Sequence, residues 1–126
     1  MNRDITKKYL LSKPDAVEEF PFTADVAVFK INNKMFATLA TEQGVARCNL
    51  KCDPDEALIL RDIFSGVTPG YHMNKRHWNT VFLDGSIPKG EIERMIDCSY
   101  SLVIKAMKKY DRKALEMRHG IDALYR

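Results

Sequence analysis

The spacing of apolar residues along this chain changes several times between a period of three to four residues and a period of two. In residues 3–13, Ile5, Tyr9 and Leu10 recur at helical spacing among charged side chains. Pro14 ends this pattern, so the first helix is predicted over residues 3–13.

Three segments with the composition and alternation of β-strands follow the first helix. They are residues 26–31, 35–40 and 45–51. Asn32-Asn33 joins the first two, and asparagine tolerates the positive φ angles of a two-residue hairpin turn. A polar turn at residues 41–44 joins the second and third. Because both connections are short, three antiparallel strands in meander order are predicted.

A second helix is predicted to begin at Pro54. Asp53 can cap it, proline is favoured at the first helical position, and Glu56 can reach back to the amide of the capping residue. Gly66 suits the left-handed conformation that stops a helix. The apolar face is expected to contain Ala57, Leu60 and Phe64, with Ile59 and Ile63 beside it.

A hairpin is predicted after the second helix. Pro69-Gly70 suits the central positions of a type II turn, and residues 71–73 are expected to form a short strand. Residues 78–83 are predicted to form a stronger strand. Lys75-Arg76 then lies at the tip between the two strands.

The longest periodic segment begins at Pro88 and runs to about Lys109. Its apolar face comprises Ile92, Met95, Ile96, Ser99, Val103 and Met107. The element order α-β-β-β-α-β-β-α predicts an α+β, two-layer fold with one antiparallel sheet and helices on one face. Residues 111–126 alternate charged and apolar positions, which is compatible with either a docked helix or a frayed extension.

The composition narrows the class of protein. A chain of 126 residues with 45% hydrophobic residues is long and apolar enough for one core, which excludes a wholly disordered chain. No apolar run approaches the roughly 20 residues of a membrane helix, and the first residues lack a signal peptide. Three cysteines, an odd number, suit a reducing compartment. We expect a cytoplasmic protein without membrane association.

The formal net charge of +3 is unevenly distributed. Residues 1–66 carry 9 cations and 10 anions, whereas residues 67–126 carry 11 cations and 7 anions. In the second part, Lys75 and Arg76 could neutralise phosphates, and Trp78 could stack on a base. Hydrogen-bonding side chains flank this pair at His72, Asn74, His77 and Asn79. The alternatives are a solvated turn that satisfies its own backbone and a tryptophan that anchors the core.

Arg47, Asn49 and Lys51 share one face of the third predicted strand. If that face is exposed, it could join Lys75 and Arg76 in a single basic surface. The alternative is the ordinary polar face of a sheet that is covered on one side only.

The sequence lacks recognisable catalytic or cofactor motifs. It contains no G-x-S-x-G nucleophile elbow and no glycine-rich phosphate loop. Cys48 and Cys52 lie about 13 Å apart along a strand, too far to share one zinc ion. We therefore expect no metal, no cofactor and no enzymatic activity. An enzyme would instead need His72 or His77 as a base beside an ordered partner in a cleft.

Several short motifs occur in order over most of residues 1–109. They are Lys13-Pro14, Phe20-Pro21-Phe22, residues 49–54, residues 69–81 and Leu83-Asp84-Gly85. In these motifs the chain resembles the MmcQ/YjbR-like family. The resemblance implies one domain over residues 1–109 with a C-terminal extension at 110–126. It also implies a compact two-layer α/β fold and DNA binding through a double-wing arrangement.

The leading hypothesis is a small non-enzymatic protein that contacts DNA phosphates from a basic hairpin tip, without sequence-specific readout. The expected contact residues are His72, Asn74, Lys75, Arg76, His77, Trp78, Arg47, Asn49 and Lys51. The alternative is a module that recognises an acidic small molecule or a partner protein through the same segment. A concave pocket bordered by Tyr71, His72, Arg76 and Trp78 would favour this alternative over a convex wing.

Overall fold

The computed structural model describes residues 1–125. Five helices and six strands occur in them. In chain order they are α1 (Arg3–Ser12), β1 (Val17–Glu19), β2 (Val26–Ile31), β3 (Lys34–Glu42), β4 (Val45–Lys51), α2 (Pro54–Ile63), β5 (Val67–Pro69), β6 (Trp78–Phe82), α3 (Lys89–Lys105), α4 (Lys109–His119) and α5 (Ile121–Leu124). None of these helices is both long enough and apolar enough to cross a membrane.

The strands form one antiparallel sheet in the order β1-β2-β3-β4-β6-β5. The predicted meander is present as β2, β3 and β4, and Asn32 and Asn33 have the positive φ angles expected of their turn, 49° and 63°. β6 pairs with the other side of β4 and places Trp78 opposite Lys51. The predicted α+β class with one antiparallel sheet is confirmed.

The helices cover one face of this sheet. α3 packs on β2, β3 and β4, and the predicted apolar face of this helix is buried at Ile92, Met95, Ile96, Ser99 and Val103. Ser99 is compatible with the core because its Oγ donates to the carbonyl of Phe36 at 2.6 Å and accepts from the amide of Lys51 at 2.8 Å. Within residues 1–125 no helix packs on the opposite face of the sheet, which is called the open face below.

Two predicted glycine roles are wrong. α2 ends at Ile63 with Phe64 as its C-cap, and neither Gly66 nor Gly70 has a positive φ angle, so the type II turn is absent. Both glycines instead lie at close approaches between segments, and the approach at Gly70 is the stricter one because it involves the backbone of Trp78. A Cβ on Gly66 would lie 2.8 Å from Ser86 Oγ, and one on Gly70 would lie 2.8 Å from the Cβ of Trp78.

Several element boundaries also differ from the prediction. The sequence did not predict β1, which adds three residues to the edge of β2. β3 extends to Glu42, two residues beyond its predicted end. The strand that pairs with β6 is β5, at Val67–Pro69, whereas the strand expected at residues 71–73 is absent because those residues lie in a turn.

The second helix differs from the prediction on two points. Asp53 caps it as expected, but Glu56 pairs with Arg94 of α3 at 2.7 Å rather than reaching back to the cap. Ile59 and Ile63, expected beside the apolar face, are both exposed.

The C-terminal segment is docked on the domain. Leu115 of α4 and Leu124 of α5 are buried in the same core as the sheet. Arg118 and His119 contact the carboxylate of Asp15 at 2.6 and 2.9 Å. Of the two possibilities for this segment, residues 111–125 show the docked form, as two short helices, and Arg126 lies outside the described residues.

Candidate functional site

Residues 70–77, which carry most of the predicted contact residues, form a compact turn. The ammonium of Lys75 donates to the carbonyl of Gly70 at 2.8 Å and closes the turn. Asn74 Oδ1 accepts from the backbone amides of Arg76 and His77 at 2.9 and 3.2 Å. The Asn74 side chain therefore stabilises the turn itself. Lys75 and Arg76 remain exposed, and neither pairs with a carboxylate of residues 1–125.

Arg61, which the sequence analysis did not single out, supports this turn from α2. Its guanidinium donates through Nε to Asn79 Oδ1 at 2.7 Å and through Nη2 to the carbonyl of Lys75. Asn79 is buried and faces the helices, so it is not available at the surface. An arginine beside the apolar face of a predicted helix was the only sequence signal for this role.

A second group of cations lies at the end of the sheet where β3 begins and β4 ends. Lys34 and Lys51 line a hollow of about 240 Å³ together with Met35, with Val103 of α3 and with the two residues that follow this helix. The amide of Cys52 donates to the carbonyl of His77 at 2.8 Å, which ties the turn at residues 70–77 to the same end of the sheet. We call Lys34, Lys51, Lys75 and Arg76 the basic end, although Arg76 lines a separate hollow beside α2 that also contains Asp55.

Arg47 lies apart from the basic end. Four residues of extended strand separate it from Lys51, a distance of about 13 Å. Its guanidinium pairs with Glu42 and lies over the rings of Tyr71 and Phe82, 4.9 and 5.6 Å from their centroids. Arg47 therefore lies about 13 Å along β4 from Lys51 and, unlike Lys51, is paired with a carboxylate.

A cleft occupies the open face beside Arg47. It has a volume of about 180 Å³ and is lined by Phe22, Val26, Thr38, Ala40, Glu42, Arg47, Asn49, Tyr71, His72 and Met73. We call it the open-face cleft. It is bordered by Tyr71 and His72, as expected for a ligand-binding module, whereas Arg76 and Trp78 are not part of its lining.

A hydrogen-bond network holds the wall of this cleft in place. Thr80 Oγ1 donates to Asn49 Oδ1 at 2.5 Å and accepts from the amide of Tyr71 at 2.8 Å, while Asn49 Nδ2 donates to the carbonyl of Tyr71 at 3.2 Å. His72 follows with a positive φ angle of 59°, and its ring centroid lies 4.0 Å from that of Tyr71. The side chain of Asn49 thus positions the wall of the cleft.

Trp78 and His77 are both half-buried at the start of β6. Their backbone carbonyls accept hydrogen bonds from Gly70 and Cys52. Within the part of the chain that the structure describes, no three His, Cys, Asp or Glu side chains are placed to hold a metal ion.

Cys48 and Cys52 are buried beneath the helices and are poor nucleophiles. Burial raises the pKa of the Cys48 thiol to about 12. Burial, with a contribution from Glu56, raises the pKa of Cys52 to about 12 as well. The thiolate form that a nucleophile needs is therefore scarce at neutral pH for both residues.

The chain is similar to several proteins from bacteria. Residues 11–102 match the family model YjbR. Uncharacterized protein YbdF of Escherichia coli O157:H7 is 34% identical over 110 residues, covering 87% of this chain and 90% of that protein. Uncharacterized protein YjbR of Escherichia coli strain K12 is 32% identical over 108 residues, covering 86% and 92%.

Solved structures have the same fold. The crystal structure of a Deinococcus radiodurans protein with the DUF419 domain matches with a TM-score of 0.83 and 35% identity, over 90% of this chain and 87% of that one. A crystal structure of a Pseudomonas syringae protein matches with a TM-score of 0.74 and 33% identity, over 82% and 99%.

Proposed function

This chain belongs to the YjbR family, and we propose that it is a non-enzymatic binding protein that contacts DNA phosphates through the basic end. One observation carries the proposal: Lys34 and Lys51 line the same hollow, and no carboxylate of residues 1–125 lines it with them. Two unpaired cations that share a concave surface attract an anion more strongly than scattered lysines do.

Lys75 and Arg76 extend the basic end. The hydrogen bond from the Cys52 amide to the His77 carbonyl holds the turn with Lys75 and Arg76 beside the end of β4. The guanidinium of Arg61, on α2, donates to the Lys75 carbonyl of the same turn. Lysine and arginine side chains at such a surface reach phosphate oxygens while their stems remain on the protein. Because phosphates carry no base identity, sequence-independent binding is proposed.

Four of the expected contact residues are left out of this proposal. Asn49 and His72 line the open-face cleft instead. The Asn74 carbonyl oxygen accepts two backbone amides of the turn, and the Arg47 guanidinium pairs with Glu42. Trp78 and His77, both half-buried beside the turn, stay in the proposal as neighbours of the phosphate contacts.

Fluorescence anisotropy with a labelled duplex across a salt series tests the proposal. Each neutralised phosphate contributes about −0.9 to the slope of log affinity against log salt, so four contacts predict a slope near −3.6. Lys34→Ala with Lys51→Ala is expected to reduce the magnitude of that slope by about 1.8.

The matched control is Lys8→Ala with Lys89→Ala, which removes two exposed lysines elsewhere and gives the same net charge. If the control weakens binding as much as the basic-end variant, net charge alone accounts for binding and the proposal fails. A dissociation constant weaker than about 100 µM at low salt also overturns it.

A second candidate function is recognition of an acidic small molecule. The open-face cleft favours it, because Tyr71 and His72 border a concave site that also contains Arg47.

A further inference from the structure

We propose that the open-face cleft binds a small aromatic carboxylate, with the carboxylate on Arg47 and the ring between Phe22 and Tyr71. This inference deepens the second candidate function and does not depend on nucleic-acid binding at the basic end. Three features of the cleft carry it: an arginine with unused donors, a polar side chain without a partner, and exposed aromatic rings at the rim.

Arg47 is positioned to receive an anion. Its side chain is held over the rings of Tyr71 and Phe82, and its only acceptor among residues 1–125 is Glu42, which contacts Nη2. The remaining N–H donors of the guanidinium are therefore open to a carboxylate, which arginine can bind with two parallel hydrogen bonds. Since the arginine is already ordered by the two rings, a ligand need not restrict its motion further.

Thr38 supplies the polar side chain without a partner. It is 8% exposed, lines the cleft, and its hydroxyl makes no hydrogen bond within the part of the chain that the structure describes. Every fully buried side-chain oxygen of those residues has a hydrogen-bond partner. Because the Thr38 hydroxyl has none, it is not fully buried, and water reaches it from the cleft. A ligand oxygen or nitrogen could replace that water.

The apolar lining defines the rest of the ligand. Phe22 is 73% exposed at the rim, and Tyr71, which also lines the cleft, is exposed as well. Val26, Ala40 and Met73 complete the apolar surface, and methionine adapts readily to the shape of a ligand. Rings stack favourably on rings, so a planar body fits this lining. The volume of about 180 Å³ is below the roughly 300–1,000 Å³ of drug-sized sites, which indicates a single ring.

Glu42 makes the proposal distinguishable from simple apolar binding. Its carboxylate already pairs with Arg47 and competes with an incoming carboxylate for the same guanidinium. Replacing Glu42 with glutamine removes this competitor and its negative charge. Affinity for an anionic ligand should then rise, whereas affinity for a cationic or neutral one should fall or stay the same.

Titration of ¹⁵N-labelled protein with benzoate, followed by amide chemical shifts, tests the inference. Benzoate is expected to shift the amides of Thr38, Arg47 and Tyr71, and neutral benzamide is expected to bind at least tenfold more weakly. Glu42→Gln should tighten benzoate binding about threefold or more, since it removes a like charge. Thr38→Val should weaken benzoate binding about fivefold, the effect of losing one hydrogen bond from the Thr38 hydroxyl to a carboxylate oxygen of benzoate.

Arg47→Gln should abolish benzoate binding, with amide dispersion as the check that the variant is folded. Lys8→Gln with Lys89→Gln, two exposed lysines outside the cleft, serves as the control and should leave the benzoate affinity unchanged. Equal binding of benzoate and benzamide, or weaker benzoate binding by Glu42→Gln, overturns the inference even if Arg47→Gln fails to fold. A benzoate dissociation constant weaker than about 10 mM for the unchanged protein also overturns the inference. None of these results bears on duplex binding at the basic end.

Discussion

The ion pair between Lys13 and Asp97 joins α1 to α3 inside the protein, and its disruption should be strongly destabilising. Lys13 Nζ lies 2.7 Å from Asp97 Oδ1, and the two side chains are only 2% and 15% exposed. The hydroxyl of Tyr9 donates to the same oxygen at 2.8 Å. Asp97→Asn keeps the size and hydrogen-bonding oxygen of the side chain but leaves the Lys13 ammonium buried without a counter-charge.

Removing one partner of a buried pair typically lowers the free energy of unfolding by about 3–5 kcal/mol. We expect about 3 kcal/mol, the lower end of that range, for two reasons. Asp97 keeps some contact with solvent, and the Tyr100 ring, with its centroid 5.1 Å from the Lys13 ammonium, continues to attract the cation. With a urea m-value of about 1–3 kcal/mol/M, the unfolding midpoint should fall by about 1–3 M.

Urea unfolding monitored by circular dichroism measures this loss. The matched control is Asp15→Asn, which makes the same chemical change in the exposed pair with Arg118 and should cost less than about 1 kcal/mol. Lys13→Met in the Asp97→Asn background should recover much of the stability, because it removes the unpaired ammonium. The reasoning is refuted if Asp97→Asn costs no more than Asp15→Asn, or if the second substitution destabilises the protein further.

Three further predictions follow from the packing and the pKa shifts. Gly70→Ala should destabilise the protein by about 1–3 kcal/mol, because its Cβ would lie 2.9 Å from the backbone carbonyl oxygen of Trp78, whereas Gly90→Ala, where a Cβ meets nothing within 4 Å, should be neutral or stabilising in the same urea assay. Hydrogen bonds from His119 and then Arg118 lower the pKa of Asp15 below 3.8. The ionised Asp15 therefore stabilises the protein above pH 3.8, and this stabilisation is lost as the pH falls through the pKa of the folded state. Asp15→Asn should narrow the difference between the urea midpoints at pH 7 and pH 3, and an unchanged difference contradicts this. Cys48, with a pKa raised to about 12 by burial, should react with a thiol reagent rapidly in urea and only slowly in the native protein, and equal rates would show that it is accessible.

The local preferences of the residues were sufficient to predict most of the secondary structure. Asp53 caps α2 and Pro54 begins it, as their preferences for a helix start predict. The strict alternation of β4 assigned Arg47 and Lys51 to the face opposite the buried Cys48, because a strand turns successive side chains to opposite faces. These features depend on neighbours within a few residues, so no tertiary information was needed.

The two glycines at 66 and 70 show where local reasoning ends. Their sequence context indicates a helix stop and a type II turn, both of which use the freedom of glycine to adopt positive φ. The structure uses the missing Cβ instead, because Ser86 and Trp78 approach these positions from other segments. A close approach between distant segments leaves no periodic signal in the sequence.

The same limit applies to the candidate sites. The sequence identified Lys75, Arg76 and Lys51 from their type and position, but only the pairing of β3 with β4 brings Lys34 beside Lys51. Likewise, Arg47 belongs to the polar face that the alternation predicts, yet its contacts with Glu42 and Tyr71 depend on a hairpin register and on a distant turn. The sequence by itself therefore determined most of the elements and the face that the β4 side chains take. Tertiary structure alone decided which charges share a surface, because strand register and loop packing set the distances between them.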